Sequence, residues 1–417
     1  MLYNIFMINP LTWLSRRRFP YKPLITVEIS RSALIHNLSE FQKIAPQNRV
    51  APVLKSNAYG HGLLEVAGIL EAHRNSKIPT AFKIPRSSAD RLGTPPFSKG
   101  DFPTGIPFFV VDSYFEAVQL KANSIKTPLL IIGYTRPETI LNSRLKNVSY
   151  TIGSLDSLKE IKSTAHPITI HLKIDTGMRR QGLLPSEIIE AIQILIENPL
   201  IRLDGICSHL CDSNNSDSTF TEHQIKLWNE TVAKFRDKFR DIKYFHLSAT
   251  DGHRYSGKID ANLSRLGLGL YGIADEFMPK LNLKPVMEMK TIITGIKVLK
   301  RGESIGYGNT FKTETDSKVA TIPVGYYEGI DRRLSNIGFV SVGDSNIPCR
   351  IVGRVSMNIT CIDISNVPDA KIGMAVKVIS NNSEAENSIK STAKKCQTIL
   401  YEIVVHVPAH LKRIVID

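Results

Sequence analysis

Between Val27 and about Leu281, short runs rich in β-branched residues alternate with segments of helical spacing. This alternation is typical of parallel βα units, because parallel strands need a long crossover connection that a helix usually supplies. We count eight such strands, around residues 50–54, 107–111, 128–132, 148–151, 168–174, 203–208, 243–248 and 261–266. Eight units predict an α/β fold built as a (β/α)8 TIM-like barrel.

The pattern changes after Pro285. Alternating runs follow, among them "TIITGIKVL", "KVATIPV", "GFVSV", "CRIVGRV" and "AVKVIS". They predict a mostly β C-terminal domain that ends in one amphipathic helix near residues 388–400. We therefore expect an N-terminal extension over residues 1–22 and a barrel over 23–282 with an inserted loop near 74–104, followed by the β-rich domain over 283–417.

The charge balance does not indicate a polyanion partner. The chain has 53 Lys and Arg against 39 Asp and Glu, which gives a net charge of +14. Such a balance can favour nucleic acid, but the basic residues are scattered and only residues 16–18 form a triplet. Because no basic stretch with interleaved aromatic residues accompanies them, we expect no nucleic-acid partner.

The cysteines and the N-terminal residues bear on location. Five cysteines are an odd number without framework spacing, which fits reduced thiols in a cytosolic protein. The opening "MLYNIFMINPLTWLSRRR" carries its charges after its apolar stretch, the reverse of a secretory signal. No run approaches the roughly 18 apolar residues that a spanning helix needs. We expect a cytoplasmic protein with no membrane partner.

Polar residues stand at the ends of the predicted barrel strands. Active sites of such barrels form at the C-terminal ends of the strands. The strand ends carry Lys55 on the first strand, Lys173 and Asp175 on the fifth, His209 on the sixth, His246 and Thr250 on the seventh, and Arg265 and Gly267 on the eighth. The fold thus predicts that residues far apart in sequence converge on one mouth.

The stretch "PVLKSNAYGHG" places Lys55 between a buried strand and a glycine-bearing turn that leads into a helix. Such a turn can seat a phosphate. The order G-x-x-x-x-G-K-[ST] of a nucleotide-binding loop is absent, since Lys55 precedes its glycines. A lysine that holds pyridoxal phosphate as a Schiff base is one interpretation. A solvated lysine before an ordinary turn is the other, and these residues alone do not separate the two.

Two further motifs have competing interpretations. "GLGLYG" at residues 267–272 matches a dinucleotide fingerprint, but it closes the barrel instead of following the first strand of a βαβ unit, so we do not expect such a site. "CSHLC", with His223 further on, is compatible with zinc only at a loose spacing. We favour reduced thiols at Cys207 and Cys211 flanking a functional His209, and expect no metal.

A set of motifs in order carries a family resemblance. They are Lys55 and Tyr59 in "KSNAY", "HLKIDTGMRRQG", "CSHL", "SRLGLGLYG", "IGYGNTF", "IVGRVSMN" and "LYE". With these motifs the chain resembles the alanine racemases, fold-type III pyridoxal-phosphate enzymes, from about Val27 to the C-terminus. The resemblance implies pyridoxal 5'-phosphate as cofactor, a small amino acid as substrate, a head-to-tail homodimer, and D-alanine supply for peptidoglycan.

The resemblance also implies two opposing bases. Lys55 matches the lysine that binds the cofactor and acts on the D face of the amino acid. Tyr307 matches the base on the L face, contributed by the partner subunit. His209 and Arg265 match the residues linked to that tyrosine by hydrogen bonds, and two bases on opposite faces are what inversion of configuration requires.

Further site residues follow from the same resemblance. Arg265 matches the residue that faces the pyridine nitrogen, and Arg180 matches the one that contacts the substrate carboxylate. Lys173 matches a lysine that is often carbamylated and orients that arginine, while Met357 matches a residue that lines a narrow substrate entrance. The positions that match phosphate ligands are Tyr59, Thr250, Gly267, Leu268 and Tyr401.

Several positions depart from the family pattern. Asn358 stands where an aspartate is usual, which removes a negative charge near the substrate entrance, and "GYYEG" replaces the common tyrosine-alanine-aspartate-glycine run. Thr250 replaces a serine and keeps its hydroxyl. Because of Asn358, a racemase of serine or a basic amino acid stays open as an alternative to an alanine racemase. A fold-type III decarboxylase and a pyridoxal-phosphate homeostasis protein are more distant alternatives.

Overall fold

The computed structural model describes residues 21–76, 105–273 and 281–417, which form two compact units. The barrel unit comprises Ile29–Met287, Ile399–Val407 and Val415–Asp417. The sheet unit comprises the described residues up to Glu28, with Glu288–Thr398 and Pro408–Ile414. The predicted N-terminal extension lies outside the described residues as far as position 20, as does the predicted insertion from position 77 onward.

Strand β1 (Thr26–Ser30) precedes eight strands that form the barrel. These eight are β2 (Arg49–Pro52), β3 (Phe109–Val111), β4 (Leu129–Ile131), β5 (Val148–Ile152), β6 (Ile168–Lys173), β7 (Ile201–Cys207), β8 (Tyr244–His246) and β9 (Leu263–Leu266). Each overlaps one of the eight strands expected from the β-branched runs. The prediction of eight barrel strands is therefore confirmed.

The barrel is parallel and closed. Strands β3 to β8 pair in chain order, and β2 pairs with β9 in the same direction. The two edges join where Val53 bridges Val110 and where Arg265 N–H donates to Ser248 O at 3.0 Å. Closure satisfies the backbone groups that an open sheet edge would expose, and it brings all eight C-terminal strand ends to one mouth.

Helices cover the barrel, and serine caps fix where several of them begin. Ser30, Ser113 and Ser154 each accept a backbone N–H from the first turn of the following helix, as N-cap residues do. The helices of this unit are Arg31–Ile44, Leu63–Asn75, Tyr114–Ala122, Pro137–Asn142, Leu155–Ile161, Ile188–Glu197, Thr219–Lys238 and Leu400–Val405. Short 3-10 helices are Pro185–Glu187, Asp251–Tyr255 and Leu268–Tyr271.

The sheet unit is mostly β, as predicted. Its six-stranded sheet contains β1 with Met287–Ile292, Phe339–Val342, Ile347–Arg350, Ala375–Ile379 and Lys412–Ile416. A three-stranded sheet contains Gly295–Leu299, Ser317–Ile322 and Thr360–Asp363. A short antiparallel pair, Ser304–Ile305 with Phe311–Lys312, carries the 3-10 turn Tyr307–Asn309. Two further 3-10 turns are Tyr326–Glu328 and Arg332–Leu334.

The helix predicted near residues 388–400 is present but ends early. It spans Ile389–Lys395, a second helix follows at Leu400–Val405, and the last element is the strand Lys412–Ile416 and not a helix. Gln397 lies between the two helices with φ of 53°, and this left-handed backbone cannot continue a right-handed helix.

The chain leaves strand β2 through a left-handed turn. Ser56, Asn57, Ala58 and Tyr59 have φ values of 56°, 55°, 53° and 52°. Left-handed backbone costs an L-residue roughly 1–2 kcal/mol. Gly60 ends the turn with φ of 79°, and its N–H donates to Ser56 O at 3.1 Å. Four such residues in succession persist only where neighbouring contacts fix them.

Glu116 makes one of these contacts and links it to the end of strand β3. Its Oε1 accepts the N–H of Asn57 at 3.2 Å, and its Oε2 accepts the N–H of Asp112 at 2.8 Å. The Asn57 side chain in turn accepts the N–H of Leu63, the first residue of the next helix, at 2.9 Å. One carboxylate thus ties the turn after β2 to the end of β3.

None of the described helices is both long and apolar enough to cross a lipid bilayer.

We predict that Gly60→Ala destabilises the barrel unit. A Cβ at position 60 would lie 1.9 Å from Val404 O, and the φ of 79° is unfavourable for alanine. We expect a loss of about 2 kcal/mol or more in the free energy of unfolding. The matched control is Gly68→Ala, where a Cβ meets nothing within 4 Å inside the helix Leu63–Asn75. It should gain about 0.5–1 kcal/mol. Equal unfolding midpoints for the two variants would contradict this account.

Candidate active site

A cavity of about 410 Å³ lies at the C-terminal ends of the barrel strands. It collects polar residues from strand ends far apart in sequence, as the barrel prediction requires. The predicted site residues that line it are Lys55, Tyr59, Lys173, Arg180, His209, Thr250, Arg265, Gly267 and Tyr401. Leu268 follows Gly267 directly and begins the short helix Leu268–Tyr271.

Three predicted residues belong to the sheet unit instead. Tyr307 opens a 3-10 turn with Gly306 and Gly308 on either side, both at φ of 73°. Its side chain is 71% exposed, so the turn presents the phenol to the surroundings. Met357 and Asn358 lie together on a loop before the strand Thr360–Asp363 and are also exposed.

Arg265 is buried at the centre of the cavity and ties the neighbouring strand ends together. Its terminal nitrogens donate to the backbone oxygens of Ser208 at 2.6 Å, His246 at 2.7 Å and Leu247 at 3.0 Å. The Nη2 atom that bonds Ser208 and Leu247 also lies 3.4 Å from His209 Nδ1. Burial lowers the pKa of the guanidinium, but arginine stays protonated in proteins, and these acceptors offset the lost hydration.

A pair of buried histidines extends inward from Arg265. The guanidinium donates to His246 Nδ1, and His246 Nε2 lies 2.8 Å from His171 Nδ1. Because a guanidinium cannot accept a hydrogen bond, His246 Nδ1 must be the acceptor and its proton must sit on Nε2. Gly205 makes room for the second ring, since a Cβ there would lie 2.5 Å from His171 Nδ1. The direction of the whole chain of hydrogen bonds is therefore set by Arg265.

Burial keeps these histidines neutral. It lowers the pKa of His171 to about 3 and that of His246 well below its ordinary value, with the charge of Arg265 contributing to both. Burial also lowers the pKa of His209 to about 3, followed by the charge of Arg265. Near pH 7 the site therefore holds a guanidinium surrounded by neutral imidazoles.

Lys173 is half-buried beside the same charges. Burial lowers the pKa of its amine, and Arg265 and Arg180 act in the same direction. The Lys173 Nζ donates to Gln181 Oε1 at 3.0 Å. A lowered pKa increases the fraction of neutral amine, the form that reacts as a nucleophile.

Gly267 leaves a cradle that fits a phosphate group. A Cβ at this position would lie 3.0 Å from the Tyr59 hydroxyl and 3.8 Å from Thr250 Oγ1. Two hydroxyls therefore surround a space that is open because residue 267 has no side chain. Burial raises the pKa of Tyr59, so its phenol stays a hydrogen-bond donor. Neutral donors of this kind suit an anion, which makes these residues compatible with the phosphate of pyridoxal phosphate.

Aromatic packing fixes the cradle from one side. The Tyr59 ring lies 6.0 Å from Tyr401 and 5.4 Å from Tyr271 between ring centroids. Tyr271 donates to Val53 O at 2.9 Å and stacks on His61 at 4.3 Å. The phenol of Tyr59 is thus positioned by rigid neighbours at the end of strand β2.

Several residues of this site are not evident from sequence alone. His246 was visible as a strand-end histidine, but its link to His171 was not, since the two are 75 positions apart. Thr151 also lines the cavity, and its buried hydroxyl has no hydrogen-bond partner among the described residues. A glycine inside a strand, Gly205, was the available signal that another group approaches closely there. The sequence around Glu116 predicts only an acidic residue in the first turn of a helix, and its bond to the turn after β2 could not be predicted.

The cysteine motif does not gather ligands for a metal. Cys207 is buried beside Lys173 and Arg265, whereas Cys211 is exposed, and both are free thiols. No group of three or more His, Cys, Asp or Glu within the described ranges is arranged to hold a metal ion.

Comparison with known proteins accounts for most of the chain. Residues 29–78 and 100–275 match the family "Alanine racemase, N-terminal domain", and residues 286–415 match "Alanine racemase, C-terminal domain". The alanine racemase of Methanococcus maripaludis is 32% identical over 94% of this chain and 98% of its own length. That of Syntrophobacter fumaroxidans is also 32% identical, over 90% of this chain and 93% of its own.

Solved structures agree. Alanine racemase from Clostridium difficile 630 superimposes with a TM-score of 0.80 at 26% identity, covering 95% of this chain and 96% of that one. The enzyme from Streptomyces lavendulae, at 22% identity, shares the fold with a TM-score of 0.80 over 95% and 98% of the two chains. The predicted barrel with a mostly β C-terminal domain is confirmed, and with both domain families matched across most of its length, this chain belongs to the alanine racemase family.

Proposed function

We propose that this alanine racemase interconverts L-alanine and D-alanine with pyridoxal 5'-phosphate bound to Lys55. One observation carries the proposal: a single cavity holds Lys55, the buried Arg265 and the open cradle at Gly267. When bound, the cofactor supplies delocalisation of the electron pair that remains when the α-proton leaves. The phosphate would be held by Tyr59, Thr250, Tyr401 and the backbone at Gly267 and Leu268.

Arg265 would set the electronic character of that cofactor. Its terminal nitrogens already bond Ser208, His246, Leu247 and His209, while its Nε–H has no acceptor among the described residues. This donor is available to the pyridine nitrogen. A guanidinium donates a hydrogen bond without giving up its proton, so the ring stays neutral and is a weaker electron sink than a protonated one. That weakness limits competing transamination and decarboxylation, which disfavours the decarboxylase alternative.

Two bases would complete the reaction. Lys55 exchanges the proton on the D face of the amino acid, and Tyr307 from the partner subunit exchanges it on the L face. Inversion needs one group to remove the α-proton and another to return a proton from the opposite side. The exposed turn that carries Tyr307 supports a role in a neighbouring subunit's site, and a head-to-tail homodimer follows from it.

Substrate recognition would fall to Arg180 and the entrance residues. A guanidinium binds a carboxylate in a bidentate manner, and Arg180 lines the cavity. Lys173, with its lowered pKa, is suited to carbamylation, which would turn a cation beside Arg180 into an anion that orients it. Tyr307 and Met357 would narrow the entrance in favour of alanine over serine or basic amino acids.

The five free thiols support a reducing cytoplasm, where D-alanine would enter peptidoglycan synthesis.

We predict that Lys55→Ala abolishes covalent attachment of the cofactor and all racemisation. The expected signature is loss of the visible absorbance of lysine-bound pyridoxal phosphate and of the adduct trapped by borohydride. Lys173→Ala is the matched control, because it removes the other lysine that lines the cavity and should retain the adduct on Lys55. Peptide mapping that finds the adduct elsewhere would refute the assignment. Optical rotation of alanine, serine and lysine then establishes the substrate.

We predict that Tyr307→Phe separates the two faces of the reaction. Racemisation should fall by about 10²–10⁴-fold, the usual contribution of a positioned acid or base. Exchange of the α-proton of D-alanine with deuterium oxide should persist, because Lys55 serves that face alone, whereas exchange of L-alanine should be lost. Tyr134→Phe removes a phenol of similar exposure, 67%, and should change neither rate. Loss of both exchanges to the same extent would exclude Tyr307 as a base for one face.

We predict that Glu116→Gln weakens cofactor binding beyond its effect on stability. The amide would point a donor at one of the two backbone N–H groups that now donate hydrogen bonds to Glu116, and this would loosen the turn after Lys55.

Glu71→Gln is the matched control, since Glu71 accepts hydrogen bonds from the N–H groups of Lys126 and Thr127. Both variants should lose about 1–2 kcal/mol in unfolding free energy. Only Glu116→Gln should raise the dissociation constant for pyridoxal phosphate, by about tenfold, which corresponds to 1.4 kcal/mol. Equal affinities in the two variants would count against the role of Glu116.

A further inference from the structure

Two loops of the sheet unit lie in direct backbone contact. Tyr326 N–H donates to Ser356 O at 3.0 Å, and Tyr327 N–H donates to Met357 O at 3.0 Å. Gly325 allows this approach, because a Cβ there would lie 2.2 Å from Ser356 O and 2.4 Å from Met357 O. The segments 325–329 and 356–359 therefore hold one another in position.

A carboxylate and an amide complete the contact between these loops. Glu328 is only 6% exposed, and its Oε2 accepts the N–H of Gly325 at 2.8 Å. Its Oε1 accepts a hydrogen from Asn358 Nδ2 at 2.6 Å. An ionised carboxylate can only accept, so the Asn358 amide must be the donor. Buried carboxylates are costly without such bonds, and bonds to a charged group are among the strongest.

Residues 328 and 358 both depart from the family pattern, in which each position usually carries an aspartate. Glu328 keeps the carboxylate on a side chain that is one methylene longer, and in this chain that carboxylate touches residue 358. An aspartate at 358 would set one carboxylate against another, with no hydrogen to share between them at neutral pH. Like charges at this distance disfavour ionisation of both groups. With Glu328 in place, the amide of Asn358 is therefore the side chain that fits. The two departures form one coupled change.

We propose that Asn358 is a positioning residue that fixes Met357 and Tyr326 through Glu328, and that it does not contact the substrate. Tyr326 and Met357 are 44% and 56% exposed, so the joined loops present them outward, while Glu328 is buried beneath them and Asn358 lies at the surface. The resemblance places residue 358 near the substrate entrance, and in this proposal its side chain acts there through Glu328. The catalytic part of the inference rests on the proposed function, in which Met357 lines the substrate entrance.

The test reverses the polarity of the pair in the full-length holoenzyme. Asn358→Asp alone places two carboxylates together, and should lower the Tm by about 3–6 °C and raise KM for alanine about tenfold with little change in kcat. Glu328→Gln alone should stay near the unmodified protein, since two amides can still bond. The double variant Glu328→Gln with Asn358→Asp should recover both values. In it, the introduced glutamine accepts from Gly325 and donates to the introduced aspartate.

Recovery of the Tm in the double variant supports the proposed pairing whether or not the protein racemises alanine. Failure of the proposed function would appear separately, as absence of turnover in the unmodified holoenzyme. The inference is overturned if Asn358→Asp leaves the Tm unchanged, or if the double variant stays as unstable as that single one. A KM that stays raised in a double variant of recovered Tm would show that Asn358 contacts substrate, and would also overturn it.

Discussion

A guanidinium buried in the mouth of a barrel must find acceptors for its N–H groups, and the site is organised around this requirement. Arg265 reaches the backbone oxygens of Ser208, His246 and Leu247, which lie at the ends of strands β7 and β8. Those oxygens converge only because the barrel closes. Burial, together with the same charge, lowers the pKa of His246 and so keeps it a neutral acceptor. Closure of the barrel, burial of the guanidinium and the neutral state of the imidazole therefore depend on one another.

The barrel, and most of the site within it, could be predicted from sequence. Strand positions followed from β-branched runs, and Lys55 and Arg265 followed from the rule that barrel chemistry lies at C-terminal strand ends. Both features are local in sequence, so they can be recognised in a single amino-acid sequence without an alignment. The left-handed turn after Lys55 was not predictable, because its strain is offset by Glu116, which lies about sixty positions away. The pairing of His171 with His246 is also tertiary in origin, and sequence spacing does not encode it.

The two units contribute different kinds of chemistry. The barrel unit buries its polar groups, and burial is what shifts the pKa values of His209, Lys173 and Tyr59. The sheet unit instead exposes Tyr307 and Met357, the residues that we propose for the reaction, on turns and loops between strands. Exposed side chains on turns gain a defined environment only when another surface covers them. This contrast is the physical reason for assigning Tyr307 to the site of a second subunit.

When two residues that depart from a family pattern are in contact, the effect of each depends on the other. Taken alone, Asn358 removes a negative charge that the family usually has at this position. Its partner is a buried Glu328, which already supplies a carboxylate and can accept only from donors. A second carboxylate would have had to take up a proton or turn toward solvent. The substitution therefore preserves a satisfied hydrogen bond within the loops, and this bond helps to fix where they hold Met357.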